Sequence, residues 1–277
     1  MSKDIPIKRA TPIFKELYKR VNHWFKYKTP YHAVFLIMGC QRSGTSLLAH
    51  VFNELDYTRV FGEFSSLSNQ DLDNKIRLNP VNIVNKQLSK IKAPLVFIKP
   101  LVESQNAITL LSAIPRSKVI WVYRHYKDVV SSDLKKFKNT GGVGNLIPIV
   151  NNDQSNWRAQ GTSSETREII KKHFSEDMSP QVAASLFWYV RNVLFFEQDL
   201  SNNSNVYLLN YDSFVQDPTN KLNHLLAENN FPLATQDITN KVFTSSVARA
   251  KNIEVPQEID ELCTTLYNRL NQVAEKQ

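Results

Sequence analysis

The eight residues Gly39, Cys40, Gln41, Arg42, Ser43, Gly44, Thr45 and Ser46 have the types and order needed to hold an anion. They follow a short apolar run, Val34–Met38, and lead into a helical pattern, Thr45–Leu55. A strand-to-helix turn gathers backbone N–H groups and the positive end of a helix around one point. Gly39 and Gly44 have the spacing of a phosphate loop, G-x-x-x-x-G-K-S/T, but Thr45 stands where the lysine would be. That lysine contacts the β- and γ-phosphates in nucleoside-triphosphate enzymes. Here the cation is Arg42, inside the loop, with the hydroxyls of Ser43, Thr45 and Ser46 around it.

A second anion site is suggested by Arg124, which directly follows the apolar run Lys118–Tyr123. His125, Tyr126, Lys127 and Asp128 then lead into a helix carrying Ser131 and Ser132. Taken alone, this segment reads more readily as a solvated arginine and an exposed helical serine, because strand-end arginines are common and the motif is short. The six histidines (23, 32, 50, 125, 173 and 224) show no H-x-x-x-H pairing, and Cys40 and Cys263 lie far apart. Neither pattern makes a zinc site or a disulfide framework, so no metal is expected.

The elements that must position these residues alternate. Val34–Met38, Leu95–Ile98, Lys118–Tyr123 and Asn205–Asn210 read as buried strands. Thr45–Leu55, Ser104–Ile114, Lys127–Phe137 and Pro180–Leu200 read as helices. Such alternation predicts an α/β fold, a central parallel sheet with helices on both faces. Ligands in such sheets bind beyond the carboxyl ends of the strands, where both candidate anion sites fall. Asn139–Thr162 is rich in Gly, Asn and Ser and reads as a long surface loop. The GGVG at Gly141–Gly144 neither follows a strand nor clearly opens a helix.

The chain has 277 residues, of which 42% are hydrophobic and 22% charged, which excludes a largely disordered chain. Residues 1–30 hold eight basic and two acidic side chains, so six of the eight net positive charges sit there. A nucleic-acid binder would be basic more broadly, and none is expected as partner. The same segment has a helical pattern in Ile13, Phe14, Leu17, Tyr18, Val21, Trp24 and Phe25, with Thr11 as cap and Pro12 in the first turn. Residues 1–30 are expected to form a basic amphipathic helix packed on the domain, with its lysines in water. Residues 31–277 are expected to form a single domain. Membrane-surface contact through residues 12–27 is the alternative for the helix. The sequence has no signal-like apolar run at the start and no span of membrane length, so a cytoplasmic protein is expected.

Together the two anion segments resemble the sulfotransferases that use 3′-phosphoadenosine 5′-phosphosulfate (PAPS). GCQRSGTSLL is similar to that family's 5′-phosphosulfate loop, and RHYKDVVSS to its 3′-phosphate motif R-x-P-K/R-D-x-x-x-S, with Arg124, Lys127, Asp128 and Ser132 in register. NVYLLNYDSFVQDP resembles the family's strand followed by Y-E-D and a later D-P. The resemblance spans roughly residues 33–230 and implies a P-loop-like sulfotransferase architecture. It implies PAPS as sulfonate donor, adenosine 3′,5′-bisphosphate (PAP) as product, no metal, and a hydroxyl- or amine-bearing acceptor. On that likeness Arg42, Ser43, Gly44, Thr45, Ser46, Arg124 and Ser132 hold the donor, and Tyr211 approaches its adenine. Three departures stand out. Leu47 replaces a tryptophan, Tyr126 replaces the proline of the second motif, and the C-terminal R-K-G-x-x-G-D-W loop is missing. Arg249 and Lys251 are the residues that could take over that loop's phosphate contacts.

Sulfonyl transfer needs a cation at the transferring group, a base for the acceptor proton and an oriented acceptor. Arg42 is the candidate cation. The family's cytosolic members carry a histidine base where Leu101 stands here, which excludes that base. Tyrosylprotein and many bacterial members carry instead a glutamate, matched here by Glu63 in TRVFGEFSSL. Glu63 is therefore the favoured base, against the alternative of a capping or salt-bridging glutamate. Lys99, at a strand end in FIKPLVESQ, is a candidate to orient the acceptor or contact the sulfonate. Glu103 and Ser104 are further candidates. The other readings are a P-loop nucleotide kinase, opposed by the missing lysine, and a nucleotide-binding protein without turnover, which would need neither Glu63 nor Lys99.

Overall fold

The computed structural model describes residues 12–28, 31–70, 76–137, 142–240, 242 and 253–277, with side chains from Glu16 onward. Arg249 and Lys251 lie outside the described residues. The chain begins with α1 (Pro12–Lys26), β1 (Ala33–Gly39), α2 (Thr45–Glu54) and β2 (Thr58–Phe61). A small antiparallel pair follows, β3 (Ser68–Gln70) and β4 (Ile76–Leu78), then α3 (Val81–Leu88) and β5 (Leu95–Ile98). Next come α4 (Ala107–Ala113), β6 (Ser117–Tyr123), α5 (Tyr126–Phe137), α6 (Gly142–Val150), α7 (Ser164–His173) and α8 (Pro180–Glu197). The chain then runs through β7 (Val206–Asn210), α9 (Tyr211–Gln216), α10 (Pro218–Glu228), α11 (Gln236–Thr239) and α12 (Gln257–Ala274).

Five strands form one parallel sheet in the order β2-β5-β1-β6-β7. β1 is central and reads AVFLIMG, nearly all buried. Its side chains alternate between two cores. Val34, Leu36 and Met38 face one, while Ala33, Phe35 and Ile37 face the other. This is the double-sided burial that makes parallel strands read as continuous apolar runs. The chain leaves β1 toward β2 on one side and leaves β6 toward β7 on the other. The carboxyl ends of β1 and β6 therefore flank a topological switch point, where a crevice opens.

The helix α8 passes through the larger core. Ser179 caps it by accepting the Val182 N–H, and Pro180 fills its first turn. Thirteen of its eighteen residues are buried, because α5, α6 and α12 all pack on it. That burial explains why Phe187, Trp188, Tyr189 and Phe195 are core residues.

Two expectations need correction. Asn139–Thr162 is not one long surface loop. Residues 142–150 form α6, which opens on Gly142, and it exists because Leu146 and Ile149 bury themselves against α8. Trp157 and Ala159, in the turns that follow, are also buried. The second correction concerns α1, whose orientation is the reverse of that expected. Lys19 and His23 face the body and are only 4% exposed, while Leu17, Tyr18, Val21, Trp24 and Phe25 are in water. Lys19 Nζ donates to the carbonyls of Leu55 (2.7 Å) and Asn53 (3.0 Å), and the His23 ring meets the Asp56 carbonyl at 2.5 Å. The carbonyls left open at the end of α2 take these cationic and polar partners, so hydrogen bonds rather than apolar area set the helix's orientation.

Candidate active site

The loop between β1 and α2 is tightly specified by its glycines. Gly39 has φ of +125° and Gly44 of +101°. A Cβ on Gly39 would lie 2.1 Å from the Val122 carbonyl oxygen, and one on Gly44 would lie 2.0 Å from the Tyr211 ring. Both positions therefore need glycine for space as well as for backbone angle. Arg42 also takes a positive φ, 69°. α2 begins at Thr45 without a side-chain cap, so the N–H groups of its first turn point into the loop. The hydroxyl of Ser43 is fully buried and has no hydrogen-bond partner.

The loop is held from below by Ser104. Its hydroxyl accepts the Gly39 N–H and donates to the Gly39 carbonyl, both at 2.9 Å. Ser104 therefore acts on the loop's geometry. Its neighbour Glu103 is equally committed. It accepts from Arg77 Nε at 2.7 Å, the Leu78 N–H at 3.0 Å and Asn106 at 2.7 Å. Those bonds tie β4 to the main body, and Glu103 does not line the cavity described next.

A cavity of about 690 Å³ opens over the carboxyl ends of β1, β5 and β6. Of the candidate site residues read from sequence, Arg42, Gly44, Thr45, Ser46, Glu63, Lys99, Ser104, Arg124, Ser132 and Tyr211 line it; Ser43 sits beneath. The two motifs touch directly. Arg42 donates to the Ser132 hydroxyl from Nε at 3.1 Å and from Nη2 at 2.9 Å. Arg124 lies 4.6 Å over the Tyr211 ring, with Asp128 at 3.5 Å and Asp212 at 3.6 Å. Burial raises the Asp212 carboxyl above its ordinary value, and Arg124 opposes the shift. On the opposite wall, Lys99 pairs with Glu63. Cys40 borders the cavity but is buried and packs in the core, and burial pushes its thiol up to about 12, which disfavours the thiolate.

The cavity also contains residues that the sequence did not single out as site residues: Asp133, Lys136, Asn145, Trp157 and Arg158. Asn145 and Arg158 are hydrogen-bonded at 2.8 Å. They come from the segment read as a loop. The apolar spacing of Val143, Leu146, Ile149 and Val150 was the signal that a helix brings Asn145 inward. Burial raises the Asp133 carboxyl, with Arg42 acting against it. The proline of the second motif is replaced by Tyr126, which is buried and hydrogen-bonded to Asp260 of α12. Lys127 joins the same carboxylate at 2.7 Å, so this substitution ties α5 to α12. A larger cavity, about 750 Å³, runs along β7 and α12 but contains none of the loop residues. Among the described residues no cluster of His, Cys, Asp and Glu could hold a metal ion, and no helix is long and apolar enough to cross a membrane.

A glycine-shaped strand-to-helix loop at the switch point of a parallel sheet, joined through Arg42 to the segment that follows β6, defines a P-loop-like α/β protein. The sulfotransferase domain model matches residues 33–264, and the chain belongs to that family. The sulfotransferase domain from the curacin biosynthetic pathway shares the fold, with TM-score 0.56, 14% identity and coverage of 88% of this chain and 99% of that one. The sulfotransferase domain of the Synechococcus PCC 7002 olefin synthase gives TM-score 0.53 at 11% identity, covering 89% and 96%. Mouse sulfotransferase SULT7A1, solved in complex with PAP, gives 0.50 at 14%, covering 95% and 96%. No curated protein matches the sequence significantly.

Proposed function

We propose that this sulfotransferase moves a sulfonate group from PAPS to a hydroxyl- or amine-bearing acceptor, without a metal. The observation that carries this reading is the Arg42–Ser132 contact, because it makes the two anion segments one site. A donor with a 5′-phosphosulfate and a 3′-phosphate needs two cationic centres at a fixed separation. Arg42 and Arg124 line the same cavity. The buried, unpartnered Ser43 hydroxyl and the open N–H groups at the start of α2 fit an anionic group. PAP in the mouse structure supports the same donor.

PAPS, when bound, supplies an activated sulfonate whose sulfur–oxygen bond to the 5′-phosphate breaks as the acceptor oxygen or nitrogen bonds to sulfur. Arg42 and the α2 N–H groups neutralise charge on the departing phosphate oxygen. Glu63 takes the acceptor proton as the new bond forms. Lys99 sits beside that carboxylate, fixes its direction and adds positive charge near the transferring group. Pro100, Leu101, Phe137 and Trp157 line the remaining wall of the cavity and give the acceptor an apolar seat.

The test is a thermal-shift titration with PAP beside ATP and 5′-AMP, followed by acceptor screening with labelled PAPS. A shift specific to PAP supports the proposal. An equal response to ATP with magnesium turns the reading toward a nucleotide kinase. No response to any of the three rejects a joint nucleotide site.

A further inference from the structure

The helix α1 is docked the wrong way round for an ordinary surface helix. Such a helix buries its apolar stripe and shows its charges to water. Here the body holds α1 by its polar stripe: Glu16 pairs with Arg59, Lys19 reaches the carbonyls at the end of α2, and His23 meets Asp56. At about 100° per residue, Leu17, Tyr18, Val21, Trp24 and Phe25 share a single arc on the opposite side. Their exposures are 53, 67, 48, 66 and 81%, which makes this arc the largest run of exposed apolar side chains in the described chain.

Positive charge surrounds the arc. Arg20, Lys26 and Lys28 are exposed beside it or just beyond it. Lys92 Nζ lies 5.9 Å over the Trp24 ring and donates to the Lys28 carbonyl. In sequence, residues 1–15 add Lys3, Lys8, Arg9 and Lys15 against the single acidic Asp4. We infer that α1 docks this protein in plane on an anionic lipid surface. Its aromatic and aliphatic arc enters the headgroup–acyl boundary, and the flanking lysines and arginines meet lipid phosphate and carboxylate groups. A helix with one apolar face, aromatic residues and a basic border is the form that lies in such an interface. The charge also decides against a second copy of this chain as the occupant. Two α1 helices face to face would bring Arg20, Lys26 and Lys28 of each against their equivalents, whereas an anionic surface neutralises them.

The protein contains its own reporter. Of its four tryptophans only Trp24 is exposed; Trp121, Trp157 and Trp188 are at most 2% exposed. The experiment mixes the full chain with vesicles of phosphatidylcholine alone, or of phosphatidylcholine with phosphatidylserine. It follows co-sedimentation together with tryptophan emission. The expected result is binding to the phosphatidylserine vesicles at least about tenfold tighter than to phosphatidylcholine, weakened by salt and accompanied by a blue shift from Trp24. Val21→Gln combined with Phe25→Gln should remove both signals. Because both residues are exposed on α1 and neither lines the cavity, this variant should retain the wild-type thermal shift with PAP, which shows that it is folded. Four results would overturn the inference. They are no binding to phosphatidylserine vesicles, equal binding to both vesicles, unchanged binding by the double variant, or a dimer in light scattering that the double variant makes monomeric.

Discussion

Glu63 and Lys99, which follow the neighbouring parallel strands β2 and β5, form an ion pair at the wall of the cavity. The register pairs Phe61 with Ile98, so the turn after β2 delivers Glu63 to the side chain that follows β5. If Glu63 is the base, the ion pair acts as a unit. Glu63→Gln should slow transfer in a single-turnover experiment by about 10²- to 10⁴-fold, the usual range for losing a positioned base. Binding of PAP should be unchanged. Lys99→Met should also slow transfer, and the double variant should lose less than the two single losses combined. Wild-type turnover by Glu63→Gln would remove it as base.

Arg42 joins the two candidate anion motifs, through its loop position and its bonds to Ser132. Arg42→Ala should raise the activation free energy by about 2.7–4 kcal/mol, the range for one strong transition-state donor. Ser132→Ala should weaken PAP binding more than it slows the bound complex, since it holds Arg42 and the donor rather than the transferring group. The two are separated by comparing single-turnover rate with PAP affinity. An Arg42→Ala rate near that of the wild type would show that the α2 N–H groups carry the charge alone.

Gly44→Ala tests the loop itself. The new methyl would have to occupy the position of the Tyr211 ring, 2.0 Å from Cδ2, at a φ of +101°. The backbone angle alone costs about 1–2 kcal/mol for a residue with a side chain. The Tyr211 ring must also move, and with it the face on which Arg124 rests. The expected outcome is a folded protein, by circular dichroism, whose thermal shift with PAP is lost. A wild-type shift would mean that neither the ring nor the loop contacts the nucleotide.

Much of this arrangement is legible in the sequence because it rests on local rules. The buried strands β1, β5, β6 and β7 announce themselves as short apolar runs, and the glycines and Arg42 fix the loop between β1 and α2. What local pattern does not carry is tertiary. β2 is four residues of mixed character, TRVF, and becomes a strand only by pairing with β5. α6 was hidden by the Gly and Asn around it, though its apolar residues find a seat on α8. Glu103 and Ser104 are adjacent and both looked like site residues. Their partners, Arg77 for one and Gly39 for the other, show that both hold the frame, and of the two only Ser104 also lines the cavity. The orientation of α1 was misread for the same reason. Apolar periodicity says which residues share a face, while the bonds of Lys19 to the carbonyls at the end of α2 decide which face turns inward.

Glu103 should therefore matter for stability rather than for proton transfer. Glu103→Ala leaves Arg77, the Leu78 N–H and Asn106 without their shared acceptor. Breaking a buried pair costs about 3–5 kcal/mol, and the partial exposure of Arg77 places this one at the lower end. Glu103→Gln keeps an acceptor for the Leu78 N–H and should keep turnover per folded molecule. Urea unfolding and active-site titration give the two quantities. A Glu103→Gln variant that is stable but inactive would return the residue to the list of bases.

Two histidines, His23 buried and His125 partly buried, give the fold a dependence on pH with a definite sign. Burial lowers the His125 pKa below its ordinary 6.5, with Lys127 and Arg124 adding to the effect and Asp128 and Asp260 opposing it. His23 is lowered mainly by burial as well. Nδ1 of His125 accepts the Lys127 N–H at 3.3 Å, a bond that a proton on Nδ1 would abolish. In the unfolded chain both rings titrate near 6.5, so below that value the unfolded state holds more protons than the folded one. Their contribution to stability is therefore complete above pH 6.5 and is lost as pH falls through the lowered folded-state values. Urea midpoints should drop as pH falls below 6.5. His125→Asn supplies a neutral acceptor for the Lys127 N–H and should flatten the drop, and adding His23→Gln should flatten it further. A midpoint that falls just as steeply in the double variant would place the acid sensitivity elsewhere, with the buried carboxylates Asp133 and Asp212 excluded by sign, because burial raises their values.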